Sequence, residues 1–224
     1  IAGIIHSLGR RKKGPFVTVD IGTIPETLVE SELFGYEKGA FTGADKRKKG
    51  YFEMAHGGTL FIDELQNLSP FIQSKLLKVA EERRFHPIGS SSPVEIDIRL
   101  IGATNSDIQE SVRAKKFRED LFYRLNVFPI LLPPLRDRPE DIPPMVWAFV
   151  KEFQKRMGKD IENISRKSIE ALQSYSWPGN VRELRNVVER AMIVSNSKTL
   201  VIALPETPAS DTPVTGNLED TERK

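Results

Sequence analysis

Thr59-Leu60-Phe61-Ile62-Asp63-Glu64 holds four residues suited to a buried strand and stops at two adjacent acids. A short apolar run reads as a strand only when its surroundings agree. Downstream, Ser69 is a good N-cap and Pro70 a good first helical residue, and Ile72, Leu76, Val79 and Ala80 follow at helical spacing. The next apolar run, Ile98-Arg99-Leu100-Ile101-Gly102-Ala103, completes a strand, helix, strand unit. Phe16-Val17-Thr18-Val19 upstream supplies another strand, and Val127-Phe128-Pro129-Ile130-Leu131 downstream a fourth. Such alternation predicts an α/β domain around a mainly parallel sheet.

After Leu135-Arg136-Asp137-Arg138-Pro139 the strand-like runs stop. Helical segments are predicted at about 140–157, 165–175 and 180–195. The second ends at the turn Trp177-Pro178-Gly179, and Asn180 is expected to cap the third, with Glu183 completing an Asn variant of the capping box. The predicted organisation is an α/β domain over 1–137, a helical domain over 138–203, and a flexible linker over 204–224. That last stretch carries five acids, two bases, three prolines and no aromatic residue, a composition that builds no core.

At 224 residues the chain has room for one large domain and a small one. It has no cysteine, which excludes disulfides, thiolate metal sites and a Cys nucleophile. His6, His56 and His86 show no metal-ligand spacing. Its apolar runs fall far short of the ~18 residues that span a bilayer, so a soluble, cytoplasmic protein with no membrane partner is expected. A formal net charge of +2 is too balanced to name nucleic acid as a partner. The basic runs Arg10-Arg11-Lys12-Lys13 and Lys46-Arg47-Lys48-Lys49 read as solvated faces, the second with a contact to DNA as its alternative. Trp147, Phe149 and Phe153 read as helical-domain core.

In parallel sheets, ligands bind beyond the carboxyl ends of the strands. The runs here end in polar residues: Asp20, then Asp63 and Glu64, then Thr104 and Asn105. Two adjacent acids at a strand end suit a site where one carboxylate holds a Mg²⁺ shell and the next orients a water at a phosphate. Taken alone, the pair reads rather as acids decorating a helix N-terminus, and decides little. A second feature is Gly39-Ala40-Phe41-Thr42-Gly43-Ala44, whose glycines permit a tight turn with Phe41 and Thr42 at its tip. An apolar loop tip suits contact with a partner protein, and an ordinary surface turn is the plain alternative.

These residues carry a resemblance. Gly39 to Ala44 reproduces the GAFTGA signature of bacterial sigma-54-dependent transcription activators (enhancer-binding proteins), which are AAA+ ATPases. Glu32-Leu33-Phe34-Gly35, Gly57-Gly58-Thr59-Leu60-Phe61-Ile62-Asp63-Glu64, Phe117-Arg118-Glu119-Asp120-Leu121-Phe122-Tyr123-Arg124-Leu125 and Trp177-Pro178-Gly179-Asn180-Val181-Arg182-Glu183-Leu184 are similar to other signatures of that family, in the family's order. The likeness covers residues 1 to about 203. It implies an AAA+ P-loop NTPase-type parallel sheet sandwiched by helices, with a small C-terminal all-helical domain. It also implies ATP and Mg²⁺ as ligands, with Asp63 the Walker B acid on Mg²⁺ and Glu64 the residue that polarises water. Thr104 and Asn105 would be sensor I, and Arg182 sensor II. Arg118 and Arg124 would be arginine fingers reaching a neighbour's ATP, a task that suits planar, permanently charged forks. Without the resemblance they are two surface arginines, and Arg182 a solvated one at a helix start.

The same resemblance implies that Gly39, Ala40, Phe41, Thr42, Gly43 and Ala44 contact sigma-54, with His86 to Ile96 as a second loop supporting that contact. It implies a homo-oligomeric, hexameric ring that remodels the closed complex of sigma-54 RNA polymerase holoenzyme into the open one. Enhancer DNA would be met through a C-terminal domain outside this chain. Two departures stand out. No G-x-x-x-x-G-K-[ST] occurs in the 224 residues; the family's phosphate-binding loop would lie just before Ile1, and without it this chain is expected not to hydrolyse ATP at a meaningful rate. Asp20 stands where the family usually has an Asn that toggles the Walker B Glu, and an ionised carboxylate cannot donate to Glu64 as an amide can. A non-hydrolysing docking module and another AAA+ remodeller are the alternatives.

Overall fold

The computed structural model describes residues 1–205. In chain order its elements are α1 (Ala2–Ser7), β1 (Phe16–Asp20), α2 (Glu26–Phe34), β2 (Gly35–Tyr36), β3 (Lys48–Lys49), α3 (Tyr51–Met54), β4 (Thr59–Asp63), α4 (Pro70–Glu82), β5 (Arg84–Phe85), β6 (Val94–Glu95), β7 (Arg99–Gly102), α5 (Ile108–Arg113), α6 (Glu119–Leu125), α7 (Ile142–Met157), β8 (Asn163–Ile164), α8 (Arg166–Ser174), α9 (Asn180–Val194) and β9 (Thr199–Leu200). The chain divides into two units, Ile1–Ile130 and the residues from Leu131 onward. The break precedes the expected 137 because Leu135 is fully buried in the core of the second unit.

The first unit is built on a three-stranded parallel sheet, β1-β4-β7, flanked by helices. Leu60 and Ile62 on one face of β4 and Thr59 on the other are completely buried because β4 is the central strand and is covered on both faces. Leu60 and Ile62 each contribute roughly 1.5–3 kcal/mol. The register sets Asp20 of β1 directly beside Asp63 of β4, so both strands deliver an acid to the same sheet end. α4 starts as the sequence predicts, with Ser69 extended and Pro70 in its first turn, although the Ser69 hydroxyl makes no capping bond.

The fourth predicted strand does not form. Residues 127–131 are irregular, with Phe128 83% and Leu131 93% exposed. Among the described residues β7 pairs with β4 alone. Instead of pairing, Val127, Phe128 and Ile130 line a cavity of about 400 Å³ together with Ile101 and Gly102. A strand needs a ladder partner, and Pro129 removes a donor from this one.

The second unit is helical, as expected, with one addition: β8 and β9 form a two-residue parallel pair. Trp177 and Phe153 are fully buried in its core, while Trp147 and Phe149 are partly buried against it. The expected capping box is reshaped. Glu183 accepts from the Gly179 N–H at 2.8 Å, whereas the Asn180 side chain accepts from the Leu135 N–H at 2.9 Å. Most of the predicted linker, 206–224, lies outside the described residues.

Candidate functional site

The chemistry-bearing residues of the first unit gather where β1, β4 and β7 end. Asp63 closes β4, and its Oδ1 accepts from the Glu64 N–H at 2.9 Å. That bond favours a sharp turn, and Glu64 takes a left-handed conformation with φ 56°. A non-glycine residue held there is strained, and such strain clusters at functional sites. The turn lifts the Glu64 side chain out of the strand. Its Oε2 accepts from Asn67 Nδ2 at 2.7 Å and lies against Gly22, where any Cβ would overlap it. Gly22 is therefore glycine for space.

Asp20 does not bond to Glu64. Its Oδ1 accepts from the Gly22 N–H at 3.0 Å and caps the single turn Ile21–Thr23. The two carboxylates thus engage the same glycine, one through its N–H and one across its face. The amide that bonds to Glu64 is that of Asn67, from the turn after it.

The third strand end joins through Gln66, whose Nε2 donates to Asn105 Oδ1 at 3.0 Å, while the Leu65 N–H donates to the Ala103 carbonyl at 3.0 Å. Gln66 Oε1 is buried with no partner. Thr104 closes a small turn by accepting from the Ser106 N–H at 3.2 Å. Asp20, Asp63, Glu64, Thr104 and Asn105 therefore share one end of the sheet. Among the described residues no group of three or more acids or histidines is arranged to hold a metal. Asp63, with only Oδ1 engaged, suits Mg²⁺ that keeps its waters and arrives with phosphates, which is how that ion is commonly bound.

Arg118 and Arg124 lie elsewhere, along α4. The Arg118 fork donates to both oxygens of Asp120 at 3.0 and 2.7 Å, and its Nη1 reaches Ser74 Oγ at 3.2 Å. This charged hydrogen bond holds the Asp120 carboxyl below the usual carboxylate range. Arg124 donates twice to the Ala80 carbonyl, at 3.2 and 2.7 Å. Neither donates to Asp63 or Glu64. Arg182 belongs to the second unit and is exposed in the first turn of α9.

The Gly39 to Ala44 loop joins β2 to β3. Gly39 and Gly43 have φ of 82° and 95°, and the Gly39 N–H donates to the Ala44 carbonyl at 2.8 Å. Ala44 is buried, whereas Phe41 is 46% exposed with its ring edge-on to Tyr36, centroids 4.9 Å apart. The segment 86–96 packs on this loop: the Glu37 N–H donates to the Ile88 carbonyl at 3.0 Å, and Gly89 meets Ala40 so closely that a Cβ would lie 2.7 Å from the Ala40 Cβ. The two loops form one surface. Beside them, Arg47 pairs with Glu37 and Glu53, Lys48 with Glu32, and Lys49 with Glu53, so most of that basic run is neutralised within the chain.

Gly22, Gln66, Asn67 and Gln73 escape a reading of the sequence. Gln73 carries one signal, a polar residue on the face that α4 buries through Ile72, Leu76 and Val79.

A parallel sheet with paired acids at its carboxyl end, followed by a helical unit, is the build of an AAA+ ATPase domain. Residues 1–131 match the model of the sigma-54 interaction domain and residues 136–218 that of the AAA+ ATPase lid domain. The chain belongs to the sigma-54 interaction domain family, the ATPase domain of sigma-54-dependent transcription activators. It is 48% identical over 220 residues to the nitrogen fixation protein VnfA of Azotobacter vinelandii, covering 98% of this chain and 42% of that protein. It is 47% identical over 190 residues to the DNA-binding transcriptional regulator NtrC of Rhizobium meliloti, covering 85% and 39%. The crystal structure of NtrX from Brucella abortus in complex with ADP aligns with a TM-score of 0.80 at 40% identity, covering 86% of this chain and 42% of that one. The chain thus spans less than half the length of these relatives. No helix among the described residues is long and apolar enough to cross a membrane.

Proposed function

We propose that this domain, joined to a phosphate-binding loop, hydrolyses ATP between subunits of a homo-oligomeric ring and uses the cycle to press the Phe41 loop against sigma-54. One observation carries the reading. Asp63, Glu64 and Asn105 gather at one sheet end, while Arg118 and Arg124 are held along α4 by groups of their own chain. A site divided in this way is completed by a second copy, whose arginines supply the charge that phosphoryl transfer needs. Asp63 would hold Mg²⁺ through water, Glu64 would orient the attacking water, and Thr104 and Asn105 would sense the γ-phosphate. Mg²⁺ would neutralise charge on the phosphates. Arg182 would act as sensor II, with the α9 N-terminus adding its attraction for anions.

The paired loops support the partner assignment, since Phe41 stands on a scaffold bonded to the 86–96 segment rather than on a free turn. A version extended to include a phosphate-binding loop is expected to show ATPase activity that rises more than linearly with protein concentration. Phe41→Ala should abolish sigma-54 binding and spare hydrolysis. Linear dependence on concentration would sink the shared site, and undiminished sigma-54 binding the loop assignment. The 224-residue chain is expected to show no meaningful hydrolysis.

The alternative reading is a docking module that does not hydrolyse. It predicts sigma-54 binding that is indifferent to nucleotide.

A further inference from the structure

Gln73 is completely buried in the first turns of α4. A buried amide left unpaired is costly, and this one is nearly saturated. Its Nε2 donates to the Leu68 carbonyl at 2.8 Å and to the Lys116 carbonyl at 3.0 Å, and its Oε1 accepts from the Arg118 N–H at 2.8 Å. The partners come from two places. Leu68 ends the turn Leu65–Asn67 that follows Glu64, and Lys116 to Arg118 is the irregular stretch between α5 and α6.

That stretch has no ladder of its own. Lys115 before it is left-handed at φ 56°, the Lys116 and Phe117 N–H groups donate to the Ser111 carbonyl at 2.9 and 3.1 Å, and the Phe117 side chain, with the residue 3% exposed, sits in the core, while the Arg118 N–H is left to Gln73. Gln73 grips it at a carbonyl and an N–H two residues apart, which fixes the direction in which Arg118 leaves the backbone. The next residue of α4, Ser74, meets the Arg118 guanidinium. Consecutive residues of one helix therefore hold the backbone and the fork of the same arginine, and the amide that does the first also holds the segment leaving Glu64.

We propose that Gln73 is a positioning residue: it sets Arg118 for a neighbouring subunit's nucleotide by pinning the Arg118 backbone to the segment that follows Glu64. The inference rests on the reading of Arg118 as an arginine acting across the ring. Gln73→Met keeps the shape and removes all three hydrogen bonds.

Two measurements test it. Amide hydrogen exchange on the 224-residue protein should show the Arg118 N–H protected in the wild type. In Gln73→Met it should exchange at least about tenfold faster while the β4 amides keep their protection. An unprotected wild-type Arg118 N–H overturns the proposal without any variant, and so does an unchanged rate in Gln73→Met. In a version extended to include a phosphate-binding loop, Gln73→Met should lower kcat by about 10- to 100-fold, the scale of a misplacement near 1 Å, with KM for ATP within about twofold. If Arg118→Ala lowers kcat and Gln73→Met does not, the positioning role is wrong. If Arg118→Ala leaves kcat unchanged, the assignment of Arg118 fails instead, and the exchange rates still decide the anchor.

Discussion

Replacing Gly22 by alanine would displace the Glu64 carboxylate and little else. The added Cβ would overlap Glu64 Oε2, lie 2.9 Å from Glu64 Cδ and stand 3.4 Å from Asn67 Nδ2. Ordinary contact lies near 3.5 Å, so the carboxylate must retreat by more than about 1 Å and give up its 2.7 Å bond from Asn67. The fold should tolerate this. Gly22 is not in a left-handed conformation, and the obstructing atoms are the free end of a side chain. Losing one exposed hydrogen bond costs about 1 kcal/mol, and restricting the unfolded chain returns about 0.4–1 kcal/mol. The change in Tm is therefore expected within about 3 °C. Activity should respond quite differently. A base displaced by 1 Å or more loses on the order of 10- to 100-fold in rate, so kcat of a version carrying a phosphate-binding loop should fall by that factor. Asn67→Ala, which removes the same bond without the overlap, should fall less. Thermal unfolding and steady-state ATPase assays on the same preparations decide it. An unchanged kcat at unchanged Tm would show that the Glu64 position against Gly22 is not the one that works, and a collapse in Tm would show that Gly22 serves the backbone.

Lys159 ends α9 by donating to the carbonyls of Met192, Ile193 and Ser195 at 2.7, 2.7 and 2.8 Å; Lys159→Met should cost about 1–2 kcal/mol, read as a lower Tm, and an unaltered Tm would refute the cap. Gly89→Val meets both a φ of 77° and the Ala40 Cβ, so sigma-54 affinity should drop at least about tenfold while the β4 amides stay protected from exchange; full affinity would separate the two loops functionally. The Asp120 carboxyl is lowered below 3.8 by its hydrogen bond from Arg118. For a carboxylate lowered on folding, the linked stability is present above the unfolded pKa and lost as pH falls through the folded one. The Arg118–Asp120 pair should therefore hold unchanged across pH 5–8, and an NMR titration of Asp120 with its midpoint at or above 3.8 would count against it.

The sequence showed the elements that carry their own signals. β4 and α4 were legible because four apolar residues, two acids, Ser69-Pro70 and a helical apolar stripe agree with one another, and each is a local property. Asp63, Glu64, Thr104 and Asn105 could be placed at one sheet end because parallel strands put their carboxyl termini together, whatever the side chains do there. The failures share a cause: they depend on what lies across space. Val127 to Leu131 has strand composition, but a strand exists only with a partner, and composition cannot report whether one is adjacent. Asn180 has capping chemistry, yet its oxygen goes to Leu135, 45 positions away in the chain.

The same logic explains why the residues around Glu64 stayed hidden while Glu64 itself was plain. An acid at a strand end announces its chemistry by type and place. Gly22 matters only because Glu64 folds back over it, and Asn67 only because the left-handed turn at Glu64 brings its own carboxylate within reach of an amide three residues on. The expectation for Asp20 illustrates the limit. An ionised carboxylate lacks a donor for Glu64, and residue type alone shows as much. The donor to Glu64 comes from Asn67, and Asp20 accepts from the Gly22 N–H. Which group bonds to Glu64 therefore cannot be read at position 20 alone, because the left-handed turn at Glu64 decides which amide comes close.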